Sequence, residues 1–98
     1  MAVRHVITIQ VAPGRAADFG TAFRAVQQTV LAERGCEQYE LFQSLDDPDR
    51  MLLLERWTTQ ALLEQHMAAE RTRNAEPLER LITLWSPGTT PTLERYET

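Results

Sequence analysis

A chain of 98 residues has room for one core, and its 43% hydrophobic and 24% charged residues are ordinary globular usage, which excludes disorder and fibrous repeats. Ten arginines, no lysine and fourteen acidic residues leave a net charge of −4. Without the basic cluster that phosphate neutralisation needs, no nucleic acid is expected as a partner.

From Val3 to Val11 the apolar residues alternate: Val3, Ile7, Ile9 and Val11 share one face with His5, and Arg4, Val6, Thr8 and Gln10 lie opposite. A period of two with β-branched residues predicts a strand, broken by Pro13-Gly14. Over residues 15 to 33 the period changes. Phe19, Phe23, Val26 and Val30 recur at spacings of three and four, which predicts an amphipathic helix stopped by Arg34-Gly35.

Cys36 to Leu45 reads as a second strand with Tyr39, Leu41 and Leu45 on one face and Phe42 on the other. Asp46-Asp47-Pro48-Asp49 is turn chemistry, and Arg50 to Trp57 follows as the second arm of a hairpin. Thr58 or Thr59 can cap a short helix running to about Ala69. Pro77 suits the first turn of a last helix with Leu78, Leu81 and Ile82 on its apolar side, and Thr92 to Tyr96 is long enough for a final strand.

The order strand, helix, strand, strand, helix, strand predicts an α+β fold: a ferredoxin-like βαββαβ domain over residues 1–98 with a four-stranded antiparallel sheet. The first helix is expected to cross over between two parallel central strands, with the helices covering one face of the sheet. The other face is unusual. Leu52 and Leu54 point opposite to Met51 and Leu53, so the third strand is apolar on both sides, with Val6 and Phe42 as further members of the outer face. A sheet whose back met water would alternate, so two copies stacked back to back, a homodimer, are the physical expectation.

The longest apolar run, Met51 to Leu54, is far below the roughly 20 residues that cross a bilayer, and no signal peptide pattern is seen, so the expectation is a cytoplasmic protein without membrane attachment. The single cysteine, Cys36, can form no internal disulfide, and no Cys/His set has zinc spacing.

Val11-Ala12-Pro13-Gly14 before an amphipathic helix, then Glu33-Arg34-Gly35-Cys36-Glu37-Gln38-Tyr39-Glu40-Leu41, resemble the antibiotic biosynthesis monooxygenase (ABM) domain family. So do Asp46-Asp47-Pro48, Leu54-Glu55-Arg56-Trp57 and Ala61-Leu62-Leu63-Glu64-Gln65-His66, in that order. The resemblance runs from about Val3 to Met67. It implies a dimeric α+β barrel and oxidation of quinol-, anthrone- or similar phenolic substrates by molecular oxygen with no cofactor. Relatives also break down haem or isomerise small sugars, and a non-catalytic ligand-binding dimer is a further alternative.

Cofactor-free oxidation needs an apolar pocket for a flat ring and groups that accept a proton and stabilise oxygen charge. His66, spaced from Leu62 and Ala69 to border the helix–sheet space, is the catalytic candidate, because an imidazole can exchange protons near neutral pH. Its structural alternative is to close the helix against the sheet. Candidate substrate-binding residues are His5 on the first strand, Phe23, Tyr39, Trp57 and Trp85, with Asn74 in the polar stretch between the late helices. For the aromatics, core or interface packing is the competing role. Glu55-Arg56 is assigned to inter-strand or cross-dimer pairing, and Cys36 to a small buried side chain. A haem role needs His66 as axial ligand and a polar group, commonly Asn, on the first strand, where only Arg4, His5, Thr8 and Gln10 stand.

Overall fold

The computed structural model describes residues 1–98 and contains four strands and three helices. In chain order these are β1 (Val3–Gln10), α1 (Ala16–Leu31), β2 (Cys36–Gln43), β3 (Arg50–Trp57), α2 (Gln60–Glu70), α3 (Ala75–Ile82) and β4 (Thr92–Glu97). The strands form one sheet in the order β2-β3-β1-β4, and every neighbouring pair is antiparallel. This is the ferredoxin-like arrangement expected.

One expectation is corrected. The central strands are β3 and β1, and they are antiparallel. β1 and β2 do run parallel, since each is antiparallel to β3, but β3 is inserted between them. The short turn after β2 forces β3 to pair beside it, and β3 can occupy the middle of the sheet because it is apolar on both sides.

The alternation in β1 translates directly into burial: Val3, His5 and Ile9 are buried toward the helices, while Arg4, Val6, Thr8 and Gln10 are half-buried on the outer face. β3 buries Met51, Leu53, Glu55 and Trp57 toward the helices. Against them α1 lays Phe19, Phe23, Val26 and Val30, and α2 lays Leu63, His66 and Ala69. These side chains make one core between sheet and helices, and no helix is long and apolar enough to cross a membrane.

Local chemistry fixes the joints. Gly35 adopts φ +86°, and a Cβ there would stand 2.5 Å from Leu62 Cδ1, so the turn into β2 requires glycine twice over. Its carbonyl accepts a hydrogen bond from the Thr58 amide at 2.9 Å, pinning the start of β2 to the end of β3. The Thr59 side chain caps α2, accepting from the Leu62 amide at 3.2 Å. β2 carries an irregularity between Cys36 and Gln38, where two successive partners, Trp57 and Arg56, face three residues of β2. Leu45 lies beyond the strand, fully exposed in the hairpin loop, and Ile82 is exposed rather than packed, because α3 buries only Leu81. The outer face gathers Val6, Leu52 and Leu54, half-buried, beside Phe42, which is 41% exposed.

Candidate functional site

Between the sheet and the helices lies a cavity of about 370 Å³. β1 contributes His5, Ile7 and Ile9, α1 Phe19 and Phe23, and β2 Tyr39. Leu53 and Glu55 come from β3, His66, Met67 and Glu70 from α2, and Leu78 and Leu81 from α3. Trp85, Pro91 and Leu93 complete the wall. Most of this lining is apolar or aromatic, and it includes neither lysine nor arginine.

The aromatic wall is ordered by stacking. The Phe23 ring lies flat against Tyr39, centroids 5.3 Å apart and planes within 7°. Tyr39 meets the His66 ring edgewise at 5.9 Å, and Trp57 stacks on the imidazole at 4.6 Å. Gln27 on α1 donates to the Tyr39 carbonyl at 2.9 Å, tying β2 to the helix that carries Phe23.

The polar end of the cavity is acidic. His66 is 2% exposed, with Nδ1 3.2 Å from Glu33 Oε2 just beyond the C-terminal end of α1. Its Nε2 points between two carboxylates, 3.7 Å from Glu55 Oε1 and 3.6 Å from Glu70 Oε2, and has no hydrogen-bond partner. Glu55 is 4% exposed and accepts from Trp57 Nε1 at 3.0 Å, while its second oxygen makes no hydrogen bond.

These surroundings set the protonation states. Burial pushes the Glu55 carboxyl up to about 7, with the Trp57 N–H opposing the shift and the Glu33 carboxylate adding to it. Burial raises Glu70 too, although His66 pulls it back. Tyr39 is raised far above the ordinary phenol by burial and then by the neighbouring carboxylates, so it stays a hydroxyl donor. Burial, then the fields of Arg95 and His66, hold His5 below the ordinary imidazole value, which keeps it neutral at neutral pH. The arrangement can hold a flat ring between aromatic faces and apolar walls, offer it hydroxyl and imidazole groups, and accept a proton at its carboxylates.

Of the residues singled out in the sequence, the structure brings His66, His5, Phe23, Tyr39 and Trp85 to this cavity. It does not bring Trp57 or Asn74. Trp57 is wholly buried behind His66, so it backs the imidazole instead of facing a ligand. Asn74 precedes α3 and borders a separate crevice of about 30 Å³. Arg56 pairs across strands with Glu37 at 2.7 Å, as expected for a strand charge, but Glu55 turns inward. Sequence reasoning missed Glu33, Glu55 and Glu70. Glu55 could have been found by parity, since it shares the face of Leu53 and Trp57. Glu70 stands four residues after His66, one helical turn on; Glu33 gave no local signal. Cys36 is half-buried, and burial raises its thiol to about 11, which suits packing and not nucleophilic chemistry. The geometry also does not suit haem, because a porphyrin plane bound through Nε2 would have to stand where the Glu55 and Glu70 carboxylates are.

A ferredoxin-like α+β domain whose helix–sheet space holds an aromatic-lined cavity defines the class of this protein. Its sequence supplies the family: residues 2–77 match the antibiotic biosynthesis monooxygenase family, and the chain belongs to it. No curated protein matches the chain. Among solved structures, a conserved protein from Methanosarcina mazei Go1 superposes with a TM-score of 0.83 at 26% identity, covering 98% of this chain and 91% of that one. A protein from Pseudomonas aeruginosa gives 0.80 at 26% identity, with 99% and 93% covered. SnoaB, a cofactor-independent oxygenase from Streptomyces nogalater, solved in mutant form, gives 0.85 at 16% identity over 99% and 92%; at that identity the likeness is one of fold.

Proposed function

We propose that this protein is a cofactor-independent monooxygenase that oxidises quinol- or anthrone-like phenolic substrates with molecular oxygen, acting as a homodimer. The observation that carries the reading is the cavity of about 370 Å³, aromatic along its walls and closed at one end by an imidazole set among carboxylates. Family membership and the fold shared with SnoaB support it. Loss of a proton raises the energy of the ring's π electrons, so the substrate itself reduces oxygen. For an anthrone, one oxygen atom replaces the two hydrogens of the reacting carbon and the other leaves as water, with the substrate supplying all four electrons. Phe23, Tyr39 and Trp85 would hold the ring, Tyr39 and the neutral His5 would donate to its oxygens, and His66 would assist proton transfer. The apolar outer face of the sheet supports the homodimer, in which a second copy covers Leu52, Leu54 and Phe42.

The test is oxygen consumption by purified, metal-stripped protein against a panel of quinols and anthrones, with His66→Ala beside it. The expected result is uptake above autoxidation with stoichiometric quinone, falling roughly 100-fold or more in the variant. No uptake across the panel would refute the reading, and uptake indifferent to the variant would remove His66 from it.

A further inference from the structure

We infer that Glu55 is a further catalytic residue: its carboxylate on the cavity wall takes the substrate's proton, and His66 then carries that proton to Glu33. The inference deepens the oxygenase reading and rests on it for the identity of the proton donor.

Three observations carry it. The first is reach. Glu55 lines the cavity and keeps one carboxylate oxygen without a hydrogen bond, while the other is held by Trp57 Nε1 at 3.0 Å, so the group is held at one oxygen and open to a ligand at the other. The second is continuity. His66 Nε2 is buried, without a partner, and 3.7 Å from the bonded Glu55 oxygen, and the opposite ring nitrogen is 3.2 Å from Glu33. The 3.7 Å spacing is longer than a working hydrogen bond, as is usual before a ligand tightens a site. The third is the field. Facing Glu55 are His5 from β1, Tyr39 and Cys36 from β2, His66 and Glu70 from α2, Glu33 beyond α1 and, behind His5, Arg95 from β4. Three carboxylates and two imidazoles, with no lysine or arginine among the cavity's lining, make the site a good acceptor of protons and a poor host for a bare anion. Loss of the substrate's proton to Glu55 is therefore closely followed by electron transfer to oxygen, so that no free anion accumulates in the site.

The step balances as a proton movement. The substrate's O–H bond, or in an anthrone the C–H bond of the reacting carbon, breaks as an O–H bond forms on the free Glu55 oxygen. Turning about its Cγ–Cδ bond, the protonated carboxyl presents that proton to His66 Nε2 while Nδ1 releases one to Glu33, whose side chain is 14% exposed and can return it to water. Glu33 acts through the imidazole and is a positioning residue.

The experiment has two arms on the full-length protein, comparing wild type, Glu55→Gln, Glu55→Asp and Glu33→Gln. In the first, oxygen uptake with the best quinol of the panel is followed against pH. The wild-type kcat/KM should rise through neutral pH as Glu55 ionises. Glu55→Gln, which can still accept the Trp57 N–H, should lose about 100-fold or more and flatten that profile; Glu55→Asp should recover part of the rate. Glu33→Gln should lower kcat with KM little changed. Wild-type turnover that survives Glu55→Gln with its pH profile intact would overturn the inference and leave the oxygenase reading standing. The second arm needs no substrate: difference infrared spectra of the protein between acid and alkaline pH should show a carboxylic C=O band that titrates near neutrality and vanishes in Glu55→Gln. If the panel gives no turnover, that reading falls separately. The infrared band then decides, since its absence refutes Glu55 as the proton-holding group and its presence sustains it.

Discussion

Replacing Glu55 by Gln should stabilise the protein, and only above acid pH. The carboxyl ionises at 4.5 in its ordinary state and at about 7 in the folded site, so the folded chain binds the proton more tightly than the unfolded chain. That extra affinity contributes fully below 4.5, is lost as pH rises to about 7, and changes no further beyond it. At about 1.36 kcal/mol for each tenfold change in proton affinity, ionised Glu55 costs the native state about 3 kcal/mol. Glutamine cannot ionise, and its carbonyl can take over the Trp57 N–H. Urea unfolding of both proteins at pH 4 and at pH 8.5, at one fixed concentration because association shifts apparent stability, should give equal stabilities in acid and an advantage of about 3 kcal/mol for the variant in alkali. A difference that stays constant between the two pH values would show that Glu55 ionises in the fold as it does in water, and the account of the site's acidity would be wrong.

Three further outcomes follow from the same structure. Gly35→Ala should cost about 2–3 kcal/mol in thermal or urea unfolding, because it meets both a positive φ and Leu62, whereas Gly14→Ala, with φ +75° and open space around it, should cost about 1 kcal/mol; equal costs would refute the steric argument. Trp57→Phe removes the N–H that Glu55 accepts, so its destabilisation should be larger at pH 8.5 than at pH 5, by about 1 kcal/mol or more, and the reverse order would contradict the hydrogen bond's assigned role. Leu54→Glu on the outer face should halve the sedimenting mass of a homodimer while leaving the far-ultraviolet circular dichroism unchanged; an unaltered mass would place any association elsewhere.

Alternation and helical spacing carried most of the fold. β1, α1 and β3 follow residue types that have only one sensible burial, and Thr59, Pro77 and Gly35 mark boundaries through their own backbone chemistry. Strand adjacency was less legible, because it depends on which strand tolerates burial on two faces, and the double-sided Leu52 and Leu54 bear on that only once a sheet is assumed. For the site, His66 and the aromatics stood out by type and position. An unpaired charge inside a strand is costly, so Glu55 and Arg56 are both expected to pair across strands or across a dimer, yet neighbours in a strand face opposite ways, and only Arg56 finds its partner at the surface. Glu33 reaches His66 across 33 residues of chain, a contact that the fold creates and no local pattern encodes. Asn74 looked like a loop group near the cavity, but the compact turn between α2 and α3 holds it elsewhere.

The irregularity at the start of β2 has a bearing on how relatives are compared. Cys36 opposes Trp57 and Tyr39 opposes Glu55, so two residues three apart serve the inner face, with Glu37 as the extra residue. A related chain lacking that residue would keep the same inward tyrosine by starting its strand one position later. Aligned by sequence without a gap, the two would fall out of phase from there to the hairpin, and matching inner residues would be scored against outer ones. Correspondence in this stretch is better traced by which side chain touches the imidazole than by counting along the chain.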